Sequence, residues 1–303
     1  DPDSIPEPPD EAVTHRGDIW VLGNHRLMCG DSSVPEDVDR LLDGEVIDLL
    51  FTDPPYGVMV QPRSKNAIAA GLSSYGDPKS QRKQQTQSQA RNNKSSSKPR
   101  QKMRPKDRPI ANDDISGEDF DKLLRAWFSN ASRVMKPGGC AYICGGYANL
   151  ANYLTPLKEA GFHFSQCLVW NKLHPVLTRK DYLSAFEMIF YSWREGAAHI
   201  RYVPSNARDI WEVKKVPSQK TLHLTEKPVE LAVRAIQYSS KSGENVLDLF
   251  GGSGSTLIGC EQTDRHAFLM ELDALYVDVI VKRWEEFTGK QAQRIPSSPT
   301  ESK

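Results

Sequence analysis

Two loops carry the side chains that could do chemistry. Residues 53–56 read Asp53-Pro54-Pro55-Tyr56 and follow the apolar run Asp48-Leu49-Leu50-Phe51-Thr52. The amino nitrogen on a planar heterocycle is a poor nucleophile, because its lone pair is delocalised into the ring. Two acceptors that take its protons localise the pair and aim it. Asp53 offers one acceptor and the Pro54 carbonyl the second. Pro54 and Pro55 in succession fix the backbone so that the carbonyl points one way. Tyr56 adds an aromatic face on which a planar ring can lie. Residues 248–256 read Asp248-Leu249-Phe250-Gly251-Gly252-Ser253-Gly254-Ser255-Thr256 after Asn245-Val246-Leu247. Gly251, Gly252 and Gly254 between a strand and a helix permit positive φ and close backbone approach, which suits wrapping a nucleoside.

Both loops have plainer readings. Asp-Pro and Pro-Pro are ordinary turn chemistry, and a glycine loop at a strand end serves many nucleotides or only makes a tight turn. Neighbouring residues weigh against the plain readings. The strand after the glycine loop ends Met270-Glu271, an acid about twenty positions on, placed for a ribose diol. No Gly-Lys-Ser/Thr phosphate cradle accompanies it. Upstream, Thr225-Glu226-Lys227-Pro228 precedes a helical pattern. That stretch is also a competent helix start, with Thr as cap and Pro in the first turn.

The elements that must position these loops follow from periodicity. Gly17–Leu22 and Arg26–Asp31 read as a hairpin into a sheet strand, Glu36–Leu42 as a short helix, and Val46–Phe51 as the strand that delivers Asp53. Helices are expected over Gly117–Val134, Ala148–Ala160, Pro228–Ser239, Ser253–Glu261 and Ala274–Thr288. Strands are expected over Cys140–Cys144, Phe164–Trp170, Phe186–Trp193, Asn245–Phe250 and Ala267–Leu272. Strands alternating with helices imply a mostly parallel α/β sheet covered on both faces, with ligands at the carboxyl ends of its strands.

Domain organisation follows composition. Residues 1–16 are acidic and proline-rich, like an interdomain linker. Residues 17–61 and 110–288 form the folded domain, 171–223 within it otherwise lacks clear periodicity, and 289–303 read as a polar tail. Residues 62–109 are rich in Gln, Ser, Lys, Arg, Asn and Pro, and are expected to be a disordered insertion. Between Arg63 and Arg108 thirteen basic residues face two acidic ones, a net +11; since the whole chain is neutral, the remainder carries −11. Two readings stand for this stretch: phosphate contact beside the Tyr56 loop, without sequence reading, or a solvated insertion without function.

At 303 residues and 38% hydrophobic content, with six Trp, the chain can bury a sizeable core. Its mean hydropathy of -0.55 fits long polar stretches. The five cysteines are scattered without Cys-x-x-Cys or zinc spacing, so reduced thiols are expected and no metal site. No apolar run reaches membrane-spanning length and no signal-peptide pattern is present, so a cytosolic protein is expected.

In this order the two loops resemble those of the amino-methylating DNA methyltransferases. The catalytic loop stands first and the glycine loop follows by about 195 residues, with a variable region between, which is the order of the β group. The resemblance spans about Gly17–Gly289 apart from the insertion. Gly17-Asp18-Ile19-Trp20 and Cys29-Gly30-Asp31-Ser32 look like the methylase half of phage and prophage proteins that carry a ParB-like domain ahead of it.

The resemblance implies a class I S-adenosylmethionine-dependent methyltransferase fold, circularly permuted, with a seven-stranded sheet. It implies Asp53, Pro54, Pro55 and Tyr56 as the catalytic loop. For the cofactor S-adenosylmethionine it implies Lys227 on the methionine carboxylate, Asp248 on the methionine amino end, Glu271 on the ribose and Asp31 on the adenine, around Phe250, Gly251, Gly252 and Gly254. Methyl transfer from a sulfonium needs no metal and no cysteine nucleophile.

Members beginning this loop with Asp usually modify adenine N6, whereas those modifying cytosine N4 more often begin with Ser. Double-stranded DNA is the implied partner, read through residues 171–223, where Lys172, Arg179, Lys180, Arg201, Arg208, Lys214 and Lys215 are available; a homodimer and a cognate restriction enzyme are further possibilities. A non-catalytic DNA-binding protein that keeps the fold is the alternative from another class.

Overall fold

The computed structural model describes residues 1–56, 117–176, 181–215 and 226–297. The basic stretch 62–109, together with Arg179, Lys180 and Thr225, lies outside them. The elements in chain order are β1 (Ile19–Leu22), β2 (His25–Cys29), α1 (Pro35–Leu42), β3 (Ile47–Thr52), α2 (Glu118–Val134), β4 (Met135–Gly145), a 3₁₀ turn (Tyr147–Leu150), α3 (Leu154–Glu159), β5 (Phe162–Val176), β6 (Ser184–Arg194), β7 (Ile210–Glu212), α4 (Val229–Ser239), β8 (Asn245–Asp248), α5 (Ser255–Gln262), β9 (His266–Glu271), α6 (Ala274–Thr288) and β10 (Gln293–Ile295).

All ten described strands join one sheet in the order β10-β1-β2-β9-β8-β3-β4-β6-β5-β7. Its centre, β2-β9-β8-β3-β4, is parallel; β6 then enters antiparallel between β4 and β5. Seven strands, β2 through β5 in that order, make up the expected sheet. The other three are additions at its edges: β1 and β10 on one side, β7 on the other.

Alternation along each central strand divides the core. Leu49 and Phe51 of β3, Val246 of β8 and Leu269 of β9 face α4, α5 and α6, packing with Ile236, Leu257, Ile280 and Trp284. Leu50, Leu247, Phe268 and Met270 face the other way, onto Leu41 of α1 and Phe120, Leu124, Trp127 and Phe128 of α2. These α2 positions recur three and four apart, the spacing of one helix face. Burial on both sides explains why the central strands read as continuous apolar runs.

The chain leaves β3 toward β4 on one side of the sheet and leaves β8 toward β9 on the other. The neighbours β3 and β8 therefore form the point where strand order reverses, and open α/β sheets leave a crevice there. The two loops singled out in the sequence, 53–56 and 249–254, follow these two strands.

Four expectations change. The helix over Ala148–Ala160 is broken, because Pro156 lacks an amide hydrogen and is tolerated only near a helix start; α3 begins at Leu154, behind a separate 3₁₀ turn. The polar tail is not all tail, since Gln293–Ile295 pairs with β1. The proline-rich opening is docked: Asp3 Oδ1 accepts from Val229 N at 2.9 Å, and the Pro2 carbonyl accepts from Arg283 Nη2 at 2.7 Å. Finally, outside the expected strand at Phe186–Trp193, which is β6, the stretch 171–223 also contributes the end of β5 and all of β7.

Candidate active site

Thr52 ends β3 buried, and Asp53-Pro54-Pro55-Tyr56 turns away from the sheet with no amide hydrogen at either proline to continue a ladder. The Asn149 side chain, fully buried in the 3₁₀ turn after β4, donates Nδ2 to the Tyr56 carbonyl at 3.2 Å and fixes the loop's exit. Within the loop, the Tyr56 hydroxyl lies 2.9 Å from Asp53 Oδ1.

Four side chains from elsewhere in the chain surround this loop. Lys227, just before α4, places Nζ 2.6 Å from Asp53 Oδ2, 3.2 Å from the Tyr56 hydroxyl and 3.2 Å from Glu187 Oε2. Glu187 comes from β6, and its Oε2 is also 3.2 Å from the Tyr56 hydroxyl. Its other oxygen, Oε1, takes Lys172 Nζ of β5 at 2.6 Å. Trp170 closes one side, with Lys172 Nζ 5.4 Å and Lys227 Nζ 6.0 Å from its ring centre. Two carboxylates and two ammoniums thus neutralise one another in a site largely shut from water, the condition under which buried charge is tolerated.

Electrostatics separates the two acids. Burial works to raise both. On Glu187 the Lys227 and Lys172 ammoniums overcome it and bring the carboxyl down to about 2. Asp53 is raised above the ordinary carboxylate range by burial and by the Glu187 charge, against the pull of Lys227. Tyr56 is pushed well up by burial and by both acids, so its phenol stays protonated and able to donate. Cys144 beneath the site is likewise raised by burial and stays a thiol.

The glycine loop is built differently. Asp248 ends β8 and is buried. Its carboxylate accepts from Thr256 Oγ1 at 2.5 Å, Thr52 Oγ1 at 2.9 Å and Phe250 N at 3.1 Å. Thr52 thereby ties the two loops together. Burial, only partly opposed by these donors, raises Asp248 to about 7. Phe250 packs edge-on against Trp127 at 4.8 Å.

Gly254 starts α5 at φ 87, where an added Cβ would meet Ile280 at 3.1 Å. Gly252 has φ 53 and open space around it, leaving its backbone free to be approached. The Gly252 amide donates to Glu271 Oε2 at 2.8 Å, and Asp273 N donates to Oε1 at 2.9 Å. Burial raises Glu271 to about 7 as well.

Asp31 stands two residues beyond β2, the neighbour of β9, and Cys29 pairs with Glu271. Asp31 Oδ1 caps Ser33 through its amide at 2.9 Å and its hydroxyl at 2.7 Å. Ser32 Oγ donates to the Leu249 carbonyl at 2.5 Å, which binds the Asp31 loop to the glycine loop. Asp31, Asp248 and Glu271 are thus drawn to adjacent strand ends. Lys227 is the exception, since its ammonium is engaged by Asp53, Glu187 and Tyr56.

Sequence reasoning missed Glu187, Lys172, Trp170, Thr52, Thr256 and Asn149. For Glu187 a signal existed. It is the one carboxylate inside the aromatic run Phe186–Trp193, where an acid needs a partner.

Comparison with known proteins agrees with this geometry. The DNA methylase family of N6/N4 methyltransferases matches residues 47–282. The Type II methyltransferase M2.DpnII of Streptococcus pneumoniae is 27% identical over 185 residues, 56% of this chain and 69% of that protein. The Type II methyltransferase M.HinfI of Haemophilus influenzae is 22% identical over 267 residues, 82% of this chain and 65% of that protein. This chain therefore spans about two thirds of the length of these relatives. Among solved structures, the PvuII DNA methyltransferase, cytosine-N4-specific, superposes with a TM-score of 0.58 at 16% identity, covering 89% of this chain and 92% of that one. The permuted α/β sheet is thus the class I methyltransferase fold, and the chain belongs to the S-adenosylmethionine-dependent DNA methylase family that methylates exocyclic amino groups.

Proposed function

We propose that this chain methylates the 6-amino group of adenine extruded from double-stranded DNA. The observation that carries the reading is the juxtaposition of Asp53 and Tyr56 with the glycine loop across the β3–β8 switch point, tied by the Thr52–Asp248 hydrogen bond of 2.9 Å. When bound, S-adenosylmethionine supplies the electrophilic methyl group. The residues present fit it: Gly252 leaves open backbone, Glu271 and Asp31 offer carboxylates to a diol and an amino group, and Gly251, Gly254 and Phe250 shape the wall between. Asp248 already accepts three donors, so its first task is to hold the loop.

Asp53 and the Pro54 carbonyl accept the two amino protons and localise the nitrogen lone pair. Tyr56 supports the ring. Lys227 must leave Asp53 before an amino group can take its place, and a cofactor carboxylate gives its ammonium somewhere to go. Adenine is favoured by Asp at the head of the loop. The same acceptors serve the 4-amino group of cytosine, the base of the PvuII enzyme.

DNA is the partner, and the basic residues Arg201, Arg208, Lys214 and Lys215 are candidates for contact; Lys172 is buried against Glu187 and is not one of them. Incubation with unmethylated DNA and S-adenosylmethionine, digestion to nucleosides and mass spectrometry test the proposal. New 6-methyladenine supports it; 4-methylcytosine keeps the chemistry and overturns the base; no methylated base from folded, cofactor-binding protein favours the non-catalytic alternative.

A further inference from the structure

We propose that Glu187 is a second side-chain acceptor for the target amino group, acting with Asp53. This rests on reading the pocket as a methyl-transfer site. Lys227 Nζ is a nitrogen donor lying on Asp53 Oδ2, the oxygen a target amino group would use, and so its contacts report what a nitrogen in that seat meets. They are Asp53 Oδ2 at 2.6 Å, Glu187 Oε2 at 3.2 Å and the Tyr56 hydroxyl at 3.2 Å.

A purely structural Glu187–Lys172 pair would need one carboxylate oxygen. Oε1 meets that need at 2.6 Å, while Oε2 faces the pocket toward Lys227 and Tyr56. Once Lys227 leaves, Oε2 keeps only the Tyr56 hydroxyl, which it shares with Asp53; the N–H aimed at Asp53 Oδ2 is then shared with Glu187 Oε2, while the other N–H goes to the Pro54 carbonyl.

The step balances as follows. The amino nitrogen forms a bond to the methyl carbon, and the bond from that carbon to sulfur breaks with its electron pair staying on sulfur. The nitrogen then carries the positive charge until one N–H proton passes to a carboxylate. Asp53, raised by burial, is the better proton acceptor. Glu187, still paired through Oε1 with Lys172 at 2.6 Å, opposes the developing charge without taking the proton. Two acids with divergent environments thus divide two roles.

The test compares wild type, Glu187→Gln, and the double variant Glu187→Gln with Lys172→Met, which keeps the charge balanced should the single variant fold poorly. Initial rates are measured with amplified, unmethylated DNA over a range of concentrations, and S-adenosylmethionine affinity by calorimetry. Both variants should lose roughly 10- to 100-fold in kcat. KM for DNA and cofactor affinity should stay within about threefold, since the contact is made at the reacting nitrogen. Recovery of the wild-type kcat in the double variant would reduce Glu187 to charge balance and overturn the proposal. A parallel loss of cofactor affinity would do so too, placing its effect on Lys227. An unchanged kcat in the single variant overturns Glu187 alone, whereas a wild type that methylates nothing overturns the methyl-transfer reading beneath it.

Discussion

The two neighbouring strand ends handle buried acid in opposite ways. At the end of β3, Asp53 and Glu187 are compensated by ammoniums, and Glu187 is driven down to about 2. At the ends of β8 and β9, Asp248 and Glu271 accept hydroxyls and backbone amides, and both rise to about 7. On the proposed reading, the first arrangement holds charge ready for a reacting nitrogen. The second uses carboxylates as brackets for a backbone loop, where a cation is not required. If the first serves the chemistry and the second shapes the cofactor site, as proposed, each half can be broken alone.

The largest effect on the glycine loop is expected from Gly254→Val. The residue sits at φ 87 with Ile280 3.1 Å from any added Cβ. Strain and clash together should cost about 2–3 kcal/mol of stability. S-adenosylmethionine affinity, measured by calorimetry, should fall at least about tenfold. Unchanged binding would mean that the loop does not hold the cofactor.

Next comes Tyr56→Phe, which keeps the ring and deletes the hydroxyl bridging two carboxylates at 2.9 and 3.2 Å. It should lower kcat by about 3- to 10-fold with little effect on cofactor affinity. Tyr56→Ala, which also removes the stacking face, should lose more. A weaker cofactor affinity in Tyr56→Phe would blur the division between the two halves.

The pH dependence of stability should also separate them. Asp248 and Glu271 bind protons in the folded state up to about 7, yet release them near 4 once unfolded. The native state therefore holds more protons between these values, and stability should fall as pH rises from about 4 to 7, then level off. Each group contributes a slope of at most about 1.4 kcal/mol per pH unit. Glu187 runs the other way: its contribution is present above its ordinary value and lost as pH falls toward about 2. Asp248→Asn should flatten the upper slope in thermal melts while leaving the acid limb intact. Loss of the acid limb instead would contradict the assignment.

The smallest effect belongs to Thr256→Val. It removes one of three donors to Asp248 and should cost about 1–2 kcal/mol, read by denaturant unfolding. A larger loss in methylation than in cofactor affinity would argue that Asp248 acts beyond the loop.

Much of this division was legible in the chain. Central strands buried on both faces leave unbroken apolar runs, and loops at their carboxyl ends stand out by their Asp-Pro and glycine chemistry. Glu187 and Lys172 were hidden for a physical reason. They enter the Asp53 pocket from β5 and β6, over a hundred residues away, and no local period records a contact between strands. The edge strands β7 and β10 are three residues each, too short to show alternation. The helix that restarts at Leu154, two residues before Pro156, shows a local rule overriding apolar spacing. Lys227 shows the limit of a motif: the sequence pointed to the residue, while the fold decided what its ammonium touches.

The most direct test of the whole account follows a methyl-labelled cofactor into DNA for wild type and Asp53→Ala, with cofactor affinity measured on both. The account predicts label in DNA from wild type, a loss of about 10³-fold or more in the variant, and affinities within about threefold of each other. Equal labelling by Asp53→Ala, or none by a folded, cofactor-bound wild type, would contradict it.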